Sequence, residues 1–215
     1  MKVVEIFKSI DGEGIRTGFP VTFIRLAGCN LRCEYCDTTY SYDVSKAIEM
    51  TLPEILDSVS SLNCKRITLT GGEPLIHDSV EGLIRMLVRR GYEVNIETNG
   101  SVDITPYVNS LGNPIITMDY KCPCSGMEDK MLKSNLSMLR KTDVLKFVVG
   151  SVKDLLRCYE IICCNDIKAQ IFISPVFGKI EPKEIVDYVI GHNMNDCRVQ
   201  LQLHKIIWDP ELRGV

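Results

Sequence analysis

Three cysteines fall within eight residues, Cys29-Asn30-Leu31-Arg32-Cys33-Glu34-Tyr35-Cys36, directly after an apolar run. Thiolates are the usual ligands of iron-sulfur clusters, and a loop that supplies three of them leaves one iron open to another molecule. Structural zinc is the competing reading. It takes four protein ligands, and Cys64 or His77 supplies the fourth only where the fold brings one of them close. Other residues carry charge into places where chemistry is a candidate. Arg25 sits in the otherwise apolar run Val21 to Leu26. A guanidinium there can hold a carboxylate through two parallel hydrogen bonds, pair with an acidic side chain of the protein, or lie on an exposed face. Asp11 and Glu13, flanked by Gly12 and Gly14, form an acidic turn that is either solvated or an acceptor for a donor-rich ligand.

The elements that position these residues show as short apolar runs rich in β-branched residues: Val21 to Leu26, Arg66 to Thr70, Val94 to Thr98, Ile115 to Asp119, Val144 to Val149, Ala169 to Ser174 and Arg198 to Leu201. Each reads as a buried strand. Helical spacing fills the intervals at Pro53 to Leu62, Val80 to Arg90, Ser151 to Cys163 and Pro182 to Ile190. Ser151 with Asp154 resembles a capping box, and Pro53 and Pro182 suit a first helical turn. Alternating strands and helices predict parallel βα units. At this length they predict an α/β fold in which about six parallel strands form an incomplete, open (βα) barrel with its ligands at the carboxyl ends of the strands. The polar and glycine-rich segments fall there: Gly28 to Asp37, Thr70-Gly71-Gly72-Glu73-Pro74, Asn99-Gly100 and Asp119 to Lys121.

Composition narrows the partners. The 215 residues are the size of one domain, and a formal net charge of −3 offers no basic excess for a phosphate backbone, so a small molecule is expected and nucleic acid is not. No apolar run is long enough to span a bilayer. The start, MKVVEIFKSIDGEG, lacks a signal-peptide pattern, so a cytoplasmic location is expected. Ten cysteines in that setting point to metal or redox chemistry. Cys64, Cys158, Cys163 and Cys197 lie in or beside apolar runs and read as small buried hydrophobes.

The C-x3-C-x2-C loop, with an aromatic residue before its last cysteine, resembles the radical S-adenosylmethionine superfamily, and Thr70 to Pro74 matches that superfamily's second-strand GGEP motif. The resemblance implies that Cys29, Cys33 and Cys36 hold a 4Fe-4S cluster. Its open iron chelates S-adenosylmethionine, whose reductive cleavage yields a radical that abstracts hydrogen from substrate. The GGEP segment would meet the methionyl ammonium with its acceptors. Within the superfamily, Glu5 to Gly14, Gly18-Phe19-Pro20, Phe23 to Leu31, Cys36-Asp37-Thr38, Glu97 to Gly100 and Gln202-Leu203-His204-Lys205 resemble the 7-carboxy-7-deazaguanine synthase family over nearly the whole chain.

That family resemblance implies a lyase that contracts 6-carboxy-5,6,7,8-tetrahydropterin to 7-carboxy-7-deazaguanine with loss of ammonia, on the route to queuosine and related 7-deazapurines. It implies a single domain over 1–215, with a substrate-binding segment at 1–20 and a tail at 202–215. Substrate contacts are expected from Ile10, Asp11, Gly12, Glu13, Arg25, Thr70 and His204, with His204 on a late strand. Relatives commonly carry glutamine where this chain has Asp11, so backbone contact is expected there. Thr38 is expected to ligate Mg2+. S-adenosylmethionine contacts, largely through the main chain, are expected from Tyr35, Cys36, Asp37, Gly72, Asp119, Tyr120, Lys121, Ile173, Ser174, Pro175 and Val176. Cys122-Pro123-Cys124 is read as a reduced loop near the cofactor, and the tail as a cover for the pocket or a packing surface. The family further implies a homodimer and a flavodoxin or ferredoxin as electron donor. Two rivals remain: a radical-activating enzyme acting on a partner protein, and a non-catalytic iron-sulfur or zinc module.

Overall fold

The first strand is one that the run-based expectation leaves out, because Glu5 and Lys8 interrupt its apolar residues. In the computed structural model, which describes residues 1–109 and 112–215, β1 (Lys2–Ile10) pairs antiparallel with β2 (Pro20–Leu26). Their register sets Glu5 opposite Arg25 and Phe7 opposite Phe23, whose rings stack at 5.0 Å. A two-residue β3 (Ile48–Glu49) pairs with the outer side of β1.

From β2 onward every pairing is parallel. The strands β4 (Arg66–Gly71), β5 (Glu93–Thr98), β6 (Ile115–Tyr120), β7 (Val144–Val149), β8 (Gln170–Pro175) and β9 (Cys197–Val199) follow it in the row β3-β1-β2-β4-β5-β6-β7-β8-β9. The row does not close on itself among the described residues, as expected for an open (βα) barrel, and β2 with its six successors makes seven parallel strands.

The four long helices, α1 (Leu52–Ser61), α2 (Val80–Arg89), α5 (Val152–Cys164) and α6 (Pro182–Gly191), lie within a residue or so of their expected spans. Their caps explain the agreement. Thr51 and Glu54 form a reciprocal box at α1 with Pro53 in its first turn, Ser151 Oγ accepts from Asp154 N at 3.4 Å at α5, and Pro182 opens α6. The single turns α3 (Thr105–Val108), α4 (Asn135–Met138) and α7 (His204–Ile207) are too short to show a helical period. Among the described residues no helix is long and apolar enough to cross a membrane.

Alternate strand residues serve opposite faces. Leu69, Ile96, Met118, Phe147 and Ile173 join Leu56, Leu83, Leu87, Leu155 and Ile185 in the core. Between them fall polar residues at every second position: Thr68 and Thr70, Asn95 and Glu97, Thr117 and Asp119, and Lys146. The loop between β1 and β2 crosses this polar interior. Arg16 donates to Ile67 O and Thr68 Oγ1, both at 2.8 Å, and to Glu93 O at 3.1 Å. Gln200, just after β9, receives Gly14 N at 2.7 Å and donates to Thr17 Oγ1. The loop therefore bridges the side of the barrel that the strands leave open.

Candidate functional site

The cysteine loop begins where β2 ends, and neighbouring strand ends clamp it. Gly28 turns the chain with φ of 90°, a conformation that favours glycine. Gly72 passes so close that an added Cβ would lie 2.1 Å from Gly28 O and 2.8 Å from Cys29 Cβ. Glu73 N donates to Gly28 O at 2.9 Å. The Glu73 side chain, expected among the acceptors for a cofactor ammonium, is instead fully buried. It accepts from Leu75 N at 3.0 Å, Thr98 Oγ1 at 2.9 Å and Asn99 N at 2.6 Å. Burial pushes this carboxyl up to about 7 against the pull of those hydrogen bonds. Asn99, so anchored, extends Nδ2 to Asn30 Oδ1 at 3.0 Å and to Cys29 Sγ at 3.7 Å, while Leu31 N donates to the same sulfur at 3.4 Å. On the far side, Glu34 N donates to Ser125 O at 3.1 Å. N–H groups directed at a ligating sulfur are one of the means by which a protein tunes an iron-sulfur cluster.

All three thiols line one wall of a cavity of about 350 Å³ at the carboxyl ends of the strands. Among the described residues no three His, Cys, Asp or Glu side chains converge as ligands of a single ion. Burial pushes the Cys29 and Cys33 thiols up, so metal loading here releases protons.

Across the cavity runs a chain of buried charges. Lys121 Nζ lies 2.9 Å from Asp119 Oδ2, and Lys146 Nζ lies 3.0 Å from Asp119 Oδ1 and 3.3 Å from Glu13 Oε2. Burial disfavours the charge on Asp119, but the two ammonium groups outweigh it and hold the carboxyl below the ordinary range. Both lysines are raised in turn, burial being overcome by the carboxylates around them. Glu13 Oε1 is buried and has no hydrogen-bond partner among the described residues. Tyr35, at the cluster loop, has its hydroxyl in the same condition.

Opposite lies Arg25. Its Nε donates to Glu5 Oε1 at 2.7 Å, and Tyr40 OH donates to the same oxygen at 3.0 Å. Of the alternatives for Arg25, the partnership with an acidic side chain is thus present. It occupies Nε; among the described residues the terminal nitrogens have no hydrogen-bond partner, and Arg25 lines the cavity. Asp37 Oδ1 accepts from Thr38 Oγ1 at 2.9 Å, and Asp37 Oδ2 meets Lys205 Nζ at 2.8 Å. Burial opposes ionisation of Asp37, but Lys205 prevails and holds it at about 2. Burial also lowers the His204 imidazole below its usual value. His204 opens α7 and is not on a strand. Its Nδ1 lies 2.2 Å from where a Gly12 Cβ would be, and Leu203 N donates to Gly12 O.

Most of the expected site residues meet in this cavity: Ile10, Asp11, Gly12, Glu13, Arg25, Tyr35, Cys36, Asp37, Thr38, Thr70, Gly72, Asp119, Lys121, Val176 and His204 line it. Tyr120, Ile173, Ser174 and Pro175 do not. Tyr120 turns into the core and donates to Glu128 Oε1 at 2.9 Å, and Ile173 is fully buried there. Asp11 is engaged within the protein. Thr68 Oγ1 donates to Asp11 Oδ1 at 2.9 Å, Arg16 Nε lies 3.1 Å from Oδ2, and its backbone bonds Phe19 and Gly18. Of the paired cysteines, Cys122 is in the core, and Cys124 is half-buried with its N–H on Asp154. Lys146, Glu97 and Phe177 line the cavity without having been expected; residues 209–215 line it too, in keeping with the tail as a cover for the pocket, and Arg213 stacks there on Tyr40 at 4.0 Å.

An open row of parallel strands with a three-thiol loop after the first of them defines a radical S-adenosylmethionine enzyme, with a 4Fe-4S cluster and S-adenosylmethionine as cofactors. The family model described as "Radical SAM superfamily" matches residues 23–111. The crystal structure of QueE from Escherichia coli superposes with a TM-score of 0.76 at 26% identity, covering 94% of each chain. The 7-carboxy-7-deazaguanine synthase of Clostridium acetobutylicum is 48% identical over 100% of this chain and 99% of its own. That of Methanospirillum hungatei is 42% identical over 98% and 86%. The chain belongs to the 7-carboxy-7-deazaguanine synthase family.

Proposed function

We propose that this chain catalyses the radical ring contraction of 6-carboxy-5,6,7,8-tetrahydropterin to 7-carboxy-7-deazaguanine with release of ammonia, in the biosynthesis of queuosine and other 7-deazapurines. One coincidence carries the reading. A single cavity holds three cluster-type thiols, a guanidinium whose terminal nitrogens have no partner among the described residues, and a buried carboxylate oxygen of Glu13 in the same condition. When bound, the reduced cluster and S-adenosylmethionine supply the hydrogen-atom abstraction that starts the rearrangement. Arg25 orients the substrate by holding its carboxylate in a charge-assisted pair. Glu13 Oε1 accepts from the donor-rich pyrimidine edge, an acceptor that would otherwise stay desolvated at a cost. His204, neutral near pH 7 because burial lowers its pKa, is able to accept a hydrogen bond or a proton.

The segments 1–20 and 202–215 serve as substrate-binding appendages of one domain over 1–215. The Tyr35 hydroxyl, Asp37, Lys121, Gly72 and Val176 surround S-adenosylmethionine, with the main chain of Tyr120 and of Ile173, Ser174 and Pro175 beside it. Thr38 Oγ1 donates to Asp37 and keeps its lone pairs, so it fits Mg2+, an ion that retains waters and takes few protein ligands. A flavodoxin or ferredoxin delivers the electron. The enzyme works in the cytoplasm as a homodimer, to which the exposed Ile206, Ile207 and Leu212 of the tail are suited. A cavity of about 350 Å³ suits a small molecule better than a protein substrate. The test is anaerobic turnover of the reconstituted protein with dithionite, S-adenosylmethionine, Mg2+ and carboxytetrahydropterin. Deazaguanine and ammonia in equal amounts are expected. Absence of both, with a cluster spectrum that still responds to S-adenosylmethionine, would refute the substrate and spare the superfamily.

A further inference from the structure

Lys146 stands in the middle of β7, lines the cavity and is 7% exposed. An ammonium has three donors, and here two face Glu13 Oε2 and Asp119 Oδ1 at 3.3 and 3.0 Å. Glu13 Oε2 also accepts from Gln202 Nε2 at 3.2 Å, whereas Glu13 Oε1 has no partner among the described residues. Among the described residues the third donor of Lys146 has no partner either, so the cavity presents a donor beside an acceptor. A 2-amino-4-oxo-pyrimidine edge is the complement of that pair, its C4 oxygen accepting while N3–H and the amino group donate.

We infer that Lys146 reads the 4-oxo group of the substrate while Glu13 takes the neighbouring protons, and that this pair selects 2-amino-4-oxo over 2,4-diamino heterocycles. The inference rests on the pterin reading above and assigns a specificity residue within it. The charge pattern supports the orientation. Lys146 is flanked on one face by Glu13, Asp119 and Glu97, surroundings that repel a carboxylate. Arg25 lies on β2, with β4, β5 and β6 between it and β7, so the two ends of the heterocycle meet opposite walls. A 4-amino group would direct a donor at the ammonium and leave both unsatisfied.

Wild-type protein and Lys146→Gln, each with cluster and S-adenosylmethionine bound, are titrated with 6-carboxypterin and with its 2,4-diamino counterpart. Wild type should prefer the 4-oxo ligand on the order of 100-fold, the penalty for leaving one buried donor unsatisfied. The glutamine amide can donate or accept, so the variant should narrow the ratio about tenfold, leaving the part that Glu13 reads through N3–H. If both affinities fall together and the ratio holds, Lys146 is only a structural pin and the inference fails. A wild-type ratio near one defeats it whatever the variant does, including a variant that does not fold. Binding of neither ligand to wild type overturns the pterin reading and this inference with it.

Discussion

Replacing Gly72 with alanine tests whether the GGEP turn builds the cluster site by close approach. The new methyl would sit 2.1 Å from Gly28 O and 2.5 Å from Gly28 C, both backbone atoms, so no side-chain rotation relieves the clash. The carbonyl would have to retreat about 1 Å to reach ordinary contact. It is not free to do so, since Gly28 O accepts from Glu73 N at 2.9 Å and Gly72 N donates to Leu26 O at 3.0 Å. Moving one strand end off the other breaks both bonds. Overpacking of this kind typically costs about 1–3 kcal/mol, and two lost hydrogen bonds add about 1 kcal/mol each. More telling than stability is geometry, because the displaced residue adjoins Cys29, and a misplacement of about 1 Å in a catalytic constellation can lower rates about 100-fold.

The assay is iron and sulfide content after anaerobic reconstitution, followed by cleavage of S-adenosylmethionine. G72A should retain less than about half the wild-type cluster and about 1% or less of its cleavage rate. Gly91→Ala is the control. Gly91 has φ of 82° but nothing within 4 Å of an added Cβ, so the strain is local. It should destabilise by about 1 kcal/mol and load its cluster normally. Full loading and wild-type cleavage in G72A would refute the close-approach reasoning.

Three further outcomes follow from the same contacts. Glu5→Gln removes the carboxylate that orients Arg25, so KM for the pterin should rise about tenfold, or ~1.4 kcal/mol, with kcat less affected. An unchanged KM means that Arg25 holds its place without Glu5. Arg16→Met leaves Asp11 buried without its cation, and urea unfolding of the cluster-free protein should show a loss of about 3 kcal/mol. A loss below about 1 kcal/mol would mean that the bridging loop does not hold the barrel through this pair. Glu73 has a folded pKa of about 7, above its unfolded value near 4.5, so the folded state holds the extra proton between them. Its contribution is complete below about pH 4.5 and lost as pH rises through about 7, on the order of 2–3 kcal/mol. Glu73→Gln should therefore be more damaging, relative to wild type, at pH 5 than at pH 8, and equal damage at both would contradict the buried-carboxyl account.

The parts of the site that were legible in the sequence are those defined by local spacing. The cysteine loop shows itself because its ligands lie within one turn of chain, and the long helices because caps and period are local. Arg25 was legible as a charge in an apolar run, yet its partner Glu5 depends on strand register, which no local pattern reveals. Lys146 carries the same signal as Arg25, a single charge inside Val144–Val149, and was passed over as part of a buried strand. Recognising that Thr68, Asn95, Thr117 and Lys146 alternate with apolar neighbours would have exposed the whole polar interior. At Asp11 the acidic turn is legible, but its cation is not: Arg16, five residues on, folds back to pair with it. At Tyr120 and Ile173 the strand ends are where ligands gather, but these two side chains turn into the core, an orientation that strand position alone does not specify.

The buried charges bear on why this interior is polar at all. A buried ion pair is often no more stabilising than a well-packed apolar replacement, so Glu13, Lys146, Asp119 and Lys121 are not explained by fold stability. Asp119 and Glu13 favour the charged form of the lysines beside them, and the two ammonium groups favour the charged form of Asp119 in return, which lets a buried interior retain fixed charge. Fixed charge in a low dielectric is strongly directional. With Arg25 on one wall and the Glu13–Lys146 pair on another, an elongated heterocycle carrying one anionic end has a single favourable orientation. Radical chemistry gives that orientation its importance, since an unpositioned radical reacts with whatever hydrogen is nearest. The interior of this barrel is better understood as a device for aligning a substrate beside the cluster loop than as a core that tolerates charge.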